Sequence, residues 1–92
     1  MRIDQKFDWE TYSWIKRGPR RIKILNNLSN AKNPITATEL KKAQNIDITQ
    51  AAFTLNELWV KGLLKCLNPK DHHGKLFIIS KKGVHIRKRI MN

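Results

Sequence analysis

Between Asp47 and Ser80 the hydrophobic positions change period once, and the change marks a helix followed by two strands. At about 100° per residue, Ala51, Leu55, Leu58 and Gly62 fall on one face, with Ala52 and Trp59 flanking it. Thr49, Gln50, Phe53, Asn56 and Val60 point the other way. Asp47 and Gln50 have the spacing of a capping box, and Gly62 suits the left-handed position beyond a helix end. The pattern predicts a helix over 48–61, roughly 21 Å long. Alternation then takes over. In 63–67, Leu64 and Cys66 oppose Leu63, Lys65 and Leu67; in 76–79, Leu76 and Ile78 oppose Phe77 and Ile79. Asn68-Pro69 opens the turn between these strands and Gly74 closes it, leaving Lys70, His72, His73 and Lys75 at the tip.

Upstream, Thr36 and Glu39 form another capping-box pair, opening a helix over about 37–44 that buries Ala37, Leu40 and Ala43 and exposes Lys41, Lys42 and Gln44. Asn45-Ile46-Asp47 turns the chain into the longer helix, so the two form a helix-turn-helix. Pro34-Ile35 predicts a short edge strand. Before it, Pro19 suits the first position of a helix over 19–30 with Ile22, Ile24, Leu25 and Leu28 on one stripe. Arg21 falls near the middle of that stripe, so it must snorkel, pair with Glu39 or Glu57, or reach a phosphate; the ion pair is the preferred expectation. Asp8 predicts a cap for a helix over 9–16, and Ser80 for one over 81–91 carrying Val84, Ile86, Ile90 and Met91. The fold class expected is α+β, mostly α: a winged helix-turn-helix with a three-helix core, a two-stranded wing hairpin, a short N-terminal aromatic segment and a C-terminal helix. Residues 19–92 form the winged-helix domain. Residues 1–18, with Ile3, Phe7, Trp9, Tyr12, Trp14 and Ile15, pack on that domain or on a second copy.

Charge narrows the partner. The 92 residues carry 19 Lys+Arg against 7 Asp+Glu, a net +12. Three of the acids (Asp4, Asp8, Glu10) lie in the first ten residues; from residue 11 on there are 17 basic and 4 acidic residues, a net +13. Such a field favours a polyanion, nucleic acid first, with an anionic membrane surface or an acidic protein behind it. Cys66 is the single cysteine, which excludes an internal disulfide and suits a reducing compartment. No stretch approaches the ~18 apolar residues of a membrane span, and the mixed-charge, aromatic N-terminus does not read as a secretory signal.

Catalytic and metal chemistry find little footing. His72 and His73 are adjacent at a turn tip while Cys66 sits in a strand, whereas a closed zinc site needs four convergent ligands. A wing that gains charge as pH falls is the simpler reading of the histidines. Nothing places Cys66 beside a base, and no glycine-rich phosphate loop is present. Neither an enzyme nor a bound cofactor is expected.

The segment KGLLKCLNPKDHHGKLFIISKKG resembles the strand–wing–strand signature of archaeal winged-helix regulators related to the MarR and ArsR groups. The resemblance rests on Gly62-Leu63-Leu64, Leu67-Asn68-Pro69, Gly74-Lys75-Leu76-Phe77, Ser80 and Gly83. RRIKILNNL and ITATEL are similar to that family's first helix and the start of its helix-turn-helix, with Arg21 on the family's arginine and Ala37 where proline is usual. The likeness spans about residues 20–84. Three departures stand out: Lys75 in place of a wing arginine, Phe53 where a polar residue is usual, and no Cys-x-Cys of the metal-sensing branch.

Together these readings give a sequence-specific, double-stranded-DNA-binding transcriptional regulator, cytoplasmic and nucleoid-associated, forming a homodimer; any small-molecule effector is left open. Helix 48–61 would enter the major groove, with Thr49, Gln50, Phe53 and Asn56 at the bases. Arg20, Arg21, Lys41 and Lys42, with Lys70, His72, His73 and Lys75 of the wing at 68–75, would meet the backbone or the minor groove. Phe7, Trp9, Tyr12, Trp14 and Val60 are the expected dimer contacts. Phe53 is left between a thymine methyl, packing on the aromatic segment and a protein contact, with packing the default. A nonspecific chromatin-like protein and a winged-helix module that docks on the transcription machinery are the alternatives.

Overall fold

A computed structural model describes residues 7–91. Its elements are α1 (Trp9–Lys16), α2 (Pro19–Asn30), α3 (Ala37–Gln44), α4 (Ile48–Val60), β1 (Leu64–Cys66), β2 (Phe77–Ile79) and α5 (Lys81–Met91). This is the winged helix-turn-helix expected from the periodicity, with α1 and α5 added to the α2–α3–α4 core. Helix α2 is the central beam and packs against α1, α4, β2 and α5, while α3 packs on α4. Ile3 lies outside the described residues.

Local chemistry sets most boundaries. The Asp8 carboxylate accepts from the Thr11 N–H at 2.9 Å and starts α1. Pro19 opens α2. Thr36 and Glu39 form a complete capping box: the Glu39 N–H donates to the Thr36 hydroxyl at 3.2 Å, and the Thr36 N–H donates to the Glu39 carboxylate at 3.0 Å. Asn45 takes a left-handed φ of 54° between α3 and α4, a conformation asparagine tolerates better than most residues. The second expected capping box is only half formed. Asp47 accepts from the Thr49 N–H at 2.9 Å, two residues on, and Gln50 stays exposed without answering it.

The core joins Ile15, Ile24, Leu25, Leu28, Leu40, Ala51, Leu55, Leu58, Leu63, Leu64, Phe77 and Ile86. Full burial of one such side chain is worth about 1.5–3 kcal/mol. Three side-chain placements differ from the expectation. Ala43 is exposed and Gln44 half-buried, because residue 44 returns close to the azimuth of Ala37 after two turns, whereas residue 43 lies about 120° away. Leu63, grouped by alternation with Lys65, is wholly buried. It precedes the strand and belongs to the helix stop. Gly62, at φ +83°, lets its N–H donate to the Trp59 carbonyl and the Leu63 N–H to the Leu58 carbonyl, both at 2.9 Å. This Schellman closure tucks the leucine under α4.

The strands pair antiparallel, Leu64 with Ile79, Lys65 with Ile78 and Cys66 with Phe77. Ile35 adds the expected edge bridge through two 2.9 Å hydrogen bonds exchanged with Phe77. The Ser80 hydroxyl donates to the Gly62 carbonyl at 2.7 Å and accepts from the Gly83 N–H at 3.0 Å, tying the start of α5 to the end of α4. Gly83 is buried against the Leu63 carbonyl, and a Cβ there would overlap it.

Candidate nucleic-acid interface

Helix α4 buries Ala51, Thr54, Leu55 and Leu58 and turns a continuous stripe outward. Thr49, Gln50 and Asn56 on or beside that stripe are exposed. Phe53 is 62% exposed and Val60 76%. The default expectation that Phe53 packs on the aromatic segment is corrected: Phe7, Trp9 and Tyr12 meet one another ring to ring and Phe7 meets His85, while Phe53 is not among them. A helix stripe cannot reach the core from the face opposite Leu55 and Leu58.

On one side of this stripe lies a groove of about 460 Å³, lined by Ile48, Ala52 and Asn56 of α4, Thr36 and Thr38 at the start of α3, and His72, His73, Gly74 and Lys75 of the wing. The fold therefore places Asn56 across from the wing's cationic and imidazole groups, residues 16 to 19 positions away in the chain. On the other side, a hollow of about 420 Å³ joins Phe53, Thr54 and Glu57 to Pro19, Arg20 and Arg21 at the start of α2. Lys41 and Lys42 are exposed in the last turn of α3, and Lys70 is exposed on the wing. Thr36, Thr38, Ile48 and Ala52 carried no sequence signal for this groove beyond their position at helix starts.

The wing is held by one side chain that sequence reading credited only with opening a turn. The Asn68 amide oxygen accepts from the Leu76 N–H at 2.7 Å, while its nitrogen donates to Asp71 at 2.9 Å and to the Gly74 carbonyl at 3.1 Å. Lys75 belongs to the root of the wing, not its tip. Its ammonium lies 5.3 Å over the Trp59 ring, which in turn meets the Phe77 ring edge-on at 5.9 Å.

Not every expected phosphate ligand is free. The Arg21 guanidinium lies 4.0 Å over the Trp14 ring, donates to the Trp14 carbonyl and sits 3.9 Å from Glu57. Glu57 rather than Glu39 is its acid, and Trp14 is a partner that spacing did not suggest. Arg20, next to it, is exposed.

The five aromatic and apolar residues expected at a dimer contact do not gather in one place. Phe7, Tyr12 and Trp14 are partly buried against the core, while Trp9 is 45% exposed. Phe7 contacts Trp9, Tyr12 and His85 ring to ring, with Arg89 about 5 Å from both Phe7 and Trp9. Trp14 instead stacks with Arg21 and with Lys61, at 5.1 Å. Beside the first cluster, Lys82 donates to Asp8 at 2.7 Å. That ammonium, together with the Thr11 N–H and hydroxyl, holds the Asp8 carboxyl well below the usual carboxylate range.

Among the described residues no group of three or more His, Cys, Asp or Glu is placed to hold a metal ion. No described helix is long and apolar enough to cross a membrane.

No protein-family model and no curated protein matches the chain. Solved structures do. A cysteine-to-serine variant of MarR from E. coli, complexed with operator DNA, is 30% identical, covers 95% of this chain and 64% of its own, and superposes with a TM-score of 0.69. Wild-type E. coli MarR in its apo form is 27% identical over 95% of this chain and 67% of that one, with a TM-score of 0.68. The multiple antibiotic-resistance repressor from Listeria monocytogenes, at 21% identity, covers 98% of this chain and 60% of its own with a TM-score of 0.71, a likeness of fold. The chain thus has the winged-helix fold of MarR repressors and spans about two thirds of their length.

Proposed function

We propose that this chain is a sequence-specific, double-stranded-DNA-binding transcriptional regulator of the MarR type, acting in the cytoplasm at the nucleoid and as a homodimer, and that it is not an enzyme. The observation that carries the reading is the groove in which the outward face of α4, through Asn56, meets the basic wing, through His72, His73 and Lys75. Helix α4, at 13 residues, is about 20 Å long and fits a major groove. Its outward face offers Thr49, Gln50 and Asn56, and amide side chains pair with adenine edges. The wing then lies along the adjacent backbone, with Lys70, Arg20, Lys41 and Lys42 on phosphates. A structural neighbour of the same fold is complexed with operator DNA, which supports the assignment. Trp9 and Met91, exposed on α1 and α5, support self-association through that side. Kinship with archaeal and ArsR-like regulators in particular rests on the wing signature.

An unbiased duplex selection followed by a salt titration tests the proposal. Neutralising 6–10 phosphates gives a log–log slope of roughly −5 to −9. A slope near zero, or a selection that enriches no sequence, removes the assignment. Gln50→Ala changes sequence preference, whereas Lys70→Ala weakens all duplexes alike. Light scattering reads the dimer.

A further inference from the structure

Phe53 is the one aromatic side chain on the outward stripe of α4, and the described residues leave it largely open. It is 62% exposed. By helical angle Thr49, Asn56 and Val60 lie within about 60° of it, almost opposite Leu55 and Leu58. Thr49 precedes it by one turn and Asn56 follows by one, so any duplex that meets those two residues also meets the phenylalanine ring between them. The hollow at its other side is formed by Pro19, Arg20, Arg21, Thr54 and Glu57, which places the exposed cation Arg20 beside the ring.

The major-groove edges of the four base pairs differ in what they offer such a ring. Guanine, cytosine and adenine present donors and acceptors, all of which an aromatic ring would strip of water without replacing their hydrogen bonds. Thymine alone presents a methyl group. The preference is thus for one base, and it has the same sense as that of the neighbouring Asn56, whose amide matches adenine on the partner strand or an adjacent step.

We propose, resting on the DNA-binding reading above, that Phe53 is a specificity determinant that packs on a thymine 5-methyl group at the centre of each half-site, so that the chain selects an A·T-rich core. The contact adds apolar burial where a polar residue would add a hydrogen bond. The ring needs no rearrangement, since it already stands clear of the core.

The test compares thymine with uracil, which lack of a methyl group alone distinguishes. In the selected duplex each thymine is replaced in turn by uracil, and binding is measured for the full chain and for Phe53→Ala and Phe53→Leu. The expected result is a loss of about fourfold at one central position, the equivalent of one buried methyl group. That loss disappears in Phe53→Ala and persists in Phe53→Leu, which keeps an apolar tip. Because Phe53 lies on the surface, both variants keep the thermal midpoint of the parent chain. If sequence-selective binding is intact but no uracil substitution matters, or if the uracil penalty is the same in Phe53→Ala, the thymine contact is wrong while the regulator assignment stands. An unchanged affinity of Phe53→Ala for the thymine duplex leaves the ring to a protein contact and overturns the inference equally. Failure of the selection itself overturns both.

Discussion

Two sides of the molecule carry similar mixtures of cations and aromatic rings but use them in opposite ways. On the α1–α5 side three cations have side-chain partners: Lys82 bonds Asp8, Arg89 lies over Phe7 and Trp9, and Arg87 donates to the Asn26 side chain at 2.8 and 3.0 Å. On the α3–α4–wing side Arg20, Lys41, Lys42 and Lys70 are exposed and take part in no ion pair or ring contact among the described residues, while Lys75 rests on Trp59 and Lys61 and Arg21 on Trp14. A tied cation contributes to the fold and has little left for an outside anion. An untied one raises the energy of the compact chain slightly and is available to a polyanion. Net charge alone, high on both sides, does not make this distinction.

The comparison can be broken at several points. The tied side depends on α5 sitting directly on Leu63, with no room for a Cβ at residue 83. Gly83→Ala is expected to cost about 3 kcal/mol, the upper end for overpacking, because the obstructing atom is backbone and cannot rotate away. Urea unfolding measures it; a neutral result would mean that α5 does not sit as close as described. The wing is next. Asn68→Ala leaves the half-buried Leu76 N–H unmet and should cost about 1 kcal/mol while also weakening duplex binding.

A crossed pair of double variants sharpens the contrast directly. Lys41→Ala with Lys70→Ala should lower the magnitude of the salt slope by about 2 and leave the unfolding midpoint nearly unchanged. Lys82→Ala with Arg89→Ala should do the reverse, costing about 1 kcal/mol of stability with the slope unaltered. Equal slopes in the two double variants would erase the division between free and tied cations.

The smallest effect is acid dependence. The folded chain holds the Asp8 carboxyl below its unfolded value, so the unfolded chain binds more protons as pH drops. Its stabilisation is present in full above the ordinary carboxylate pKa of about 4 and fades as the pH falls toward the folded value. The stability difference between the parent chain and Lys82→Ala should therefore be larger at pH 6 than at pH 2. A difference independent of pH would show that the ion pair is not what depresses the carboxyl.

Much of this architecture is legible residue by residue. Caps at Asp8, Thr36 and Ser80, the stop at Gly62, the turn at Asn68–Gly74 and the change of period after α4 locate five helices and two strands among the described residues, because each depends on groups within a few positions in the chain. The half-formed box at Asp47 shows the limit even there, since a short side-chain bond to Thr49 competes with the longer reciprocal one. The candidate site was legible as a set of residue types and not as a surface. Packing of α2 against α1 and α4 draws Arg21 partly out of solvent and onto Trp14; packing of α5 against α1 and α2 pairs Lys82 with Asp8, 74 residues apart. The same packing brings Asn56 and His72 to one groove and leaves Phe53 in the open. Periodicity says which way a side chain points on its own helix. What stands opposite it, and so whether a charge is tied or a ring is covered, depends on how elements distant in the chain are stacked.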